Sequence, residues 1–189
     1  MENALIVSRT QKSLGNLSQM LEMAGIHQAT TSSSCAQARQ LMLERDFDIV
    51  IINAPLGDET GEHFSRQTAA GGTCQVILIV AAEHFDAICA VCESDGVLTV
   101  SKPINKDVFW SALRFASSAW ARLSRMRDEN SALRRKIDEI RLVDRAKCTL
   151  ISRWQLSEQE AHKHIEKRAM DTRATKVEIA REILATHES

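Results

Sequence analysis

Up to Val100 the apolar residues come in short dense runs, with polar stretches of helical spacing between them. Ala4 to Val7, Ile26 to Thr31, Asp48 to Asn53, Val76 to Val80 and Gly96 to Val100 have the length of strands, and Asp48-Ile49-Val50-Ile51-Ile52-Asn53 has the β-branched content of a strand covered on both faces. Leu14, Leu17, Met20, Leu21 and Ala24 mark an amphipathic helix that closes at Gly25. Ser32, Ser33 and Ser34 are cap candidates for a helix through Ala36, Ala38, Leu41 and Leu43 to Arg45. Further helices are predicted over Glu59 to Ala70 and His84 to Glu93, and a last one opens near Asp107. Strands that alternate with helices through short loops predict a doubly wound, five-stranded parallel sheet of the α/β class over 1–116.

From Ala116 the rhythm changes. Ala116, Ala119, Leu123, Met126, Asn130, Leu133, Ile137 and Ile140 follow each other at alternating steps of three and four residues, with no Gly or Pro between them. This is a heptad series, and it predicts that the last helix of the α/β domain runs on as a coiled coil over 117–140. Leu123, Met126, Asn130, Leu133, Ile137 and Ile140 form its dimerisation seam. Asn130 at an a-type position favours a parallel homodimer, because a buried Asn is satisfied by its mate across the axis. The alternative is that the stripe packs on the chain's own domains.

Beyond the seam the long helix continues to about Trp154, and two capping boxes follow, Ser157-Glu158-Gln159-Glu160 and Thr175-Lys176-Val177-Glu178. They predict a small all-α three-helix domain over 134–189. In its second helix Ala161, Ile165 and Ala169 share one face, and Lys163, His164, Lys167 and Arg168 fall on another. Val177, Ala180, Ile183 and Leu184 form the apolar face of the third.

Composition narrows the class. Hydrophobic residues make up 44% and charged residues 26%, as in globular domains rather than disordered chains. The longest unbroken apolar run, Val76 to Ala82, is far too short for a membrane span, and Met1-Glu2-Asn3 carries no basic segment before an apolar one. With five cysteines in no framework spacing, these features place the protein in the cytoplasm. Cys89-x-x-Cys92 has no second Cys/His pair at ligand spacing and reads as packing, so no metal and no cofactor is expected. The net charge of −1 is unevenly spread, with −5 on residues 1–116 and +3 on 131–189, so a polyanion is expected to meet the tail.

The strand order, Asn53 at the end of the third strand with Pro55 and Gly57 behind it, and Lys102-Pro103 after the fifth strand resemble the receiver domain of two-component response regulators. The resemblance implies a phosphorylation site made of an acidic pair after the first strand that holds Mg²⁺, an acceptor Asp after the third, a Ser/Thr after the fourth and a Lys after the fifth. Those places fall on Ser8-Arg9, Asn53, Ala81 and Lys102, so only the lysine is retained. Neither a hydroxyl nor a cation replaces a carboxylate on Mg²⁺, and Asn53 has no carboxylate to accept a phosphoryl group. A pseudo-receiver that is not phosphorylated is the expectation, controlled instead by a regulatory protein partner, a ligand or dimerisation. Asp48, Asp58 and Asn53 are the candidate contacts of Lys102.

In the tail, Ala146-Lys147, Ser157-Glu158-Gln159-Glu160-Ala161 and Ala169-Met170-Asp171 resemble, in order, the ANTAR domain of transcription antitermination regulators. That resemblance implies RNA binding at paired hairpins in an mRNA leader. Arg145, Lys147, Lys167, Arg168 and Arg173 are the candidate RNA contacts, with Trp154 and His164 as stacking groups, while Ala161, Ala169 and Met170 read as core. A DNA-binding regulator and a protein-interaction module are the rival readings. No nucleophile–base pair or phosphate loop appears, so no catalytic residue is assigned and an enzyme is not expected.

Overall fold

A computed structural model describes residues 1–187 of the chain. The Glu188-Ser189 end of the predicted tail domain lies outside the described residues. The apolar runs become β1 (Asn3–Ser8), β2 (Gln28–Ser32), β3 (Ile49–Asn53), β4 (Gln75–Val80) and β5 (Val97–Ser101), all parallel, in the sheet order β2-β1-β3-β4-β5. Helices α1 (Gln11–Met23), α2 (Cys35–Glu44), α3 (Glu62–Ala70) and α4 (Phe85–Cys92) alternate with them. Helix α5 is a single helix from Lys106 to Trp154, about 70 Å long, followed by α6 (Glu158–Thr172) and α7 (Lys176–His187). The chain divides into one unit through Ser124 and a second from Arg125 onward.

Each strand run serves two cores at once, because successive side chains point to opposite faces. Leu5, Val7, Val50, Ile52, Val76, Leu78 and Val80 pack on one face with Cys35, Ala38, Phe64 and Cys92. Ala4, Ile6, Ile49, Ile51, Ile77 and Ile79 pack on the other with Leu14, Leu17, Leu21, Phe109, Leu113 and Ala116. This two-sided burial is why β1, β3 and β4 read as continuous apolar runs. Edge strand β2 is half exposed and correspondingly polar.

Among the boundaries that differ from the sequence expectation, those of β2, α3 and α4 have local reasons. Strand β2 starts at Gln28, because Ile26 is buried in the α1-side core. Helix α3 starts at Glu62 rather than Glu59. The Asp58 carboxylate is occupied by the α2 N-terminus, where it accepts the Cys35 and Ala36 N–H groups at 3.1 and 3.0 Å, and Glu59 pairs with Arg39. Gly61 then takes a left-handed turn at φ +89°, which a continuing helix cannot contain. Helix α4 starts at Phe85, after a tight 3-10 turn at Ala82–His84. Of the serines, Ser34 caps α2, accepting from the Gln37 N–H.

The second unit is built on small residues. Ala146 and Leu150 of α5, Ala161, Ile165 and Ala169 of α6, and Ile179, Ala180, Ile183 and Leu184 of α7 form its core. Two expectations are corrected here. Met170 is 80% exposed and is not core, and Ile179 carries the buried position that Val177, half-buried, was expected to hold.

A Cβ at Gly61 lies 3.1 Å from Ile52 Cγ2 on a backbone that L-residues rarely adopt. Gly61→Ala is expected to destabilise the first unit by about 1–2 kcal/mol, read as reduced hydrogen-exchange protection of β3 and β4 with α6 and α7 unaffected.

Candidate functional site

The first candidate place is the crevice at the carboxyl ends of the strands. In the sheet order found here, the chain reverses direction of winding between β1 and β3, which is where open α/β sheets hold their ligands. Ser8 and Asn53 are register partners across that gap and both are buried. Asn53 Nδ2 donates to Ser8 Oγ at 3.0 Å, and the other end of the amide, Oδ1, is buried without a partner. Arg9 is exposed, and its Cδ lies 4.0 Å from where a Gly57 Cβ would sit, so its stem leans over the β3–α3 loop. Ala81 is half-buried at the end of β4.

Lys102 takes none of the partners expected from the sequence. Its Nζ donates to the Ala54 carbonyl oxygen. Asp48 instead accepts the Glu2 and Asn3 N–H groups at the amino end of the sheet, and Asp58 is held at α2. Burial pushes the Lys102 ammonium below the ordinary lysine range. No carboxylate pairs with Lys102 or Arg9 among the described residues. The Mg²⁺ that receiver chemistry implies does not fit this donor set, in which a hydroxyl, a guanidinium and an amide stand where a hard cation needs carboxylates. Cys35, Asp58 and Glu59 also cluster, but both carboxylates are spent on α2 and Arg39. Burial pushes the Cys35 thiol up to about 12, so it supplies no thiolate.

The second candidate place is the tail. Here the basic residues divide into those that hold the helices together and those that face solvent. Lys147 Nζ binds Asp144 at 2.8 Å and Glu158 at 3.1 Å, tying α5 to the start of α6, and its side chain is only 17% exposed. The hydrogen bonds it donates to the Asp144 and Glu158 carboxylates raise its pKa. Arg168 binds Glu182 at 3.0 Å and so joins α6 to α7. Arg173 ends α6 at φ +53°, with its backbone N–H turned back to Ala169 and Met170. Lys176 pairs with Glu166, which also faces His162. Glu158, Glu182 and Glu166 were missed in the sequence because partners eleven, fourteen and ten residues apart follow no single-helix spacing.

Of the candidate contacts, Arg145 and Lys167 are exposed, and Trp154 and His164 form an aromatic corner. Trp154 and His164 meet edge to face with centroids 5.2 Å apart, and Trp154 remains 47% exposed. His164 Nε2 is buried and without a hydrogen-bond partner. On α5, Leu123, Met126, Leu133, Ile137 and Ile140 are 41 to 61% exposed, and Asn130 is exposed between them. The stripe is therefore not consumed by the chain's own cores. Among the described residues no helix is long and apolar enough to cross a membrane.

The family model for the response regulator receiver domain matches residues 4–114, and that for the ANTAR domain matches 131–184. The chain belongs to the response regulator receiver family and carries an ANTAR domain. Together the two domains make it a transcription-regulatory protein. It is 22% identical over 171 residues to the transcriptional regulatory protein PdtaR of Mycobacterium tuberculosis, covering 90% of this chain and 83% of the relative. A response regulator receiver domain protein from Clostridium thermocellum has the same fold with a TM-score of 0.58 at 19% identity, over 65% of this chain and 99% of that one. A two-component response regulator from Clostridium difficile superposes with a TM-score of 0.55 at 18% identity, over 62% and 97%.

The tail's caps and bridges make its helices sensitive to acid. The Ser157 N–H and hydroxyl hold Glu160 below the ordinary carboxylate range, the Thr175 N–H and hydroxyl do the same for Glu178, and Lys176 does so for Glu166. A carboxyl whose folded pKa is depressed stabilises the fold above its unfolded value, near 4.5, and loses that contribution as pH falls through the folded value. Helices α6 and α7 are expected to fray below about pH 4.5 while α1, capped by the Thr10 hydroxyl with no carboxylate in its first turn, persists; amide NMR across an acid titration reads both.

Proposed function

We propose that this protein is an RNA-binding transcription antiterminator. Its ANTAR domain binds small hairpins in an mRNA leader, so that a terminator cannot form, and the protein acts in the cytoplasm as a dimer held by α5. The observation that carries the reading is the order of parts: an ANTAR match at 131–184 directly behind an apolar heptad stripe that is exposed in the single chain. Apolar residues at the a and d places from Leu123 to Ile140 other than Asn130, left in water, are accounted for by a second copy of the same helix. Two tails on one coiled coil then engage two loops, and the second contact gains from effective concentration.

Within each tail the Trp154–His164 corner supplies an aromatic edge for an unstacked base, and Lys167 and Arg145 supply charge for phosphates. Lys147, Arg168 and Arg173 act on RNA through the helix geometry they maintain. No step of this function is chemical, so the protein is not an enzyme. Control passes through a partner, a ligand or the dimer equilibrium, because the receiver crevice is built for a charge pattern other than the Mg²⁺-dependent one.

Hairpin RNA is expected to displace bound RNA where duplex DNA does not. Lys167→Glu should weaken binding and reduce the salt slope by about one, and Ile137→Asp should give a monomer in sedimentation that has lost the advantage of a paired hairpin. RNA binding absent at low salt would sink the reading. Incubation with acetyl phosphate and Mg²⁺ is expected to add no phosphoryl group by intact mass; a phosphoryl adduct lost in Asn53→Ala refutes the unphosphorylated receiver.

A further inference from the structure

A groove opens beside α5 at the amino ends of β4 and β5, where Gln75 and Gly96 line it. Phe115, Ala119 and Leu123 line it from α5, and Ala69, Cys74 and Leu98 from α3 and the sheet. The cavity measures about 460 Å³ and lies wholly within the first unit. Its one carboxylate, Asp95, is held by Arg66, so the groove shows mainly apolar surface. Ala116 is fully buried, yet Phe115 beside it is 70% exposed. An aromatic ring left in water at the mouth of an apolar groove marks a surface that another molecule covers.

Two observations identify that molecule. First, the α5 side of the groove is shared with the heptad seam. Counting from Asn130 as an a place, Leu123 is an a place and Ala119 a d place. Ala116 is packed in the sheet core, so a paired helix meets α5 no earlier than Ala119. A helix laid along Ala119 and Leu123 therefore runs over the groove that they line. Second, Phe115 is a g place and Trp120 is the e place that follows it. In a parallel, in-register pair, g of one helix faces the following e of the other, so each Phe115 meets the Trp120 of a second copy. Trp120 is only partly buried within its own chain.

We propose that the groove beside Phe115 is the seat of a second copy of this chain: in the dimer, Trp120 of each protomer enters the groove of the other and packs beside its Phe115. The pair is two-fold symmetric, so the groove is filled twice by the same contact. Tryptophan brings a large apolar surface to such a contact, and an aromatic pair adds to what area alone supplies. The proposal rests on the parallel-dimer reading above and goes beyond it. A coiled coil by itself needs only the connector, whereas here the receiver fold supplies part of the interface, without phosphoryl chemistry.

The test uses the full chain with Trp110→Phe and Trp154→Phe, which leave Trp120 as the only tryptophan. Dilute and concentrated samples are compared by sedimentation and by tryptophan emission. Emission that moves to shorter wavelength as the dimer forms, and stays fixed in Ile137→Asp, is expected. Phe115→Ser changes an exposed side chain, so the fold is retained by circular dichroism, and the dimer dissociation constant should rise about tenfold as two aromatic contacts are lost. A Phe115→Cys chain re-equilibrated with a Trp120→Cys chain, both carrying Cys89→Ser and Cys148→Ser, should give a mixed disulfide on mild oxidation. A dimer whose emission stays fixed, whose dissociation constant is indifferent to Phe115→Ser, or which yields no mixed disulfide overturns this proposal and leaves the dimer reading standing. A chain that is monomeric at every concentration overturns both.

Discussion

Helix α5 imposes one constraint on everything else, because one row of its residues, seven apart, changes partner along its length. Phe109 and Ala116 of that row are fully buried against the sheet, and Leu123, Asn130 and Ile137 of the same row are exposed. Packing Phe109 and Ala116 on the sheet face made by β1, β3 and β4 fixes this end of α5 within the first unit. One seven-residue spacing carries both the buried and the exposed part of the row.

The tail depends on a different balance. Its core combines Ala146, Ala161, Ala169 and Ala180 with the larger Leu150, Ile165, Ile179, Ile183 and Leu184. Small side chains let helices approach closely but remove little apolar area from water, so polar ties carry more of the specificity. Lys147 between Asp144 and Glu158, Arg168 on Glu182, and the two capping boxes fix the register of α5, α6 and α7. Basic residues in such a module therefore include ones that tie the helices together, and only geometry picks those out.

In the receiver crevice, the place and the side chains that line it have separate origins. The position follows from topology, at the gap where the strand order reverses, and no side chain is needed to create it. What the crevice can hold follows from the side chains, and here Ser8, Arg9, Asn53 and Lys102 supply donors and positive charge.

The strands, their order of winding, the uninterrupted helix and the two capping boxes were all legible in the chain, because each depends on residues near each other in sequence: β-branched runs, steps of three and four, and Ser or Thr three residues before Glu. The placement of Ser8, Asn53 and Lys102 at strand ends was legible for the same reason. The tertiary structure alone decided that Lys147 and Arg168 bridge helices, that Met170 faces water and Ile179 does not, that Asp58 leaves Lys102 for the α2 N-terminus, and that Asn53 keeps an amide end unused. Those outcomes depend on which groups meet across ten to fifty residues of chain, where electrostatics and burial act through distance in space and no local spacing encodes them.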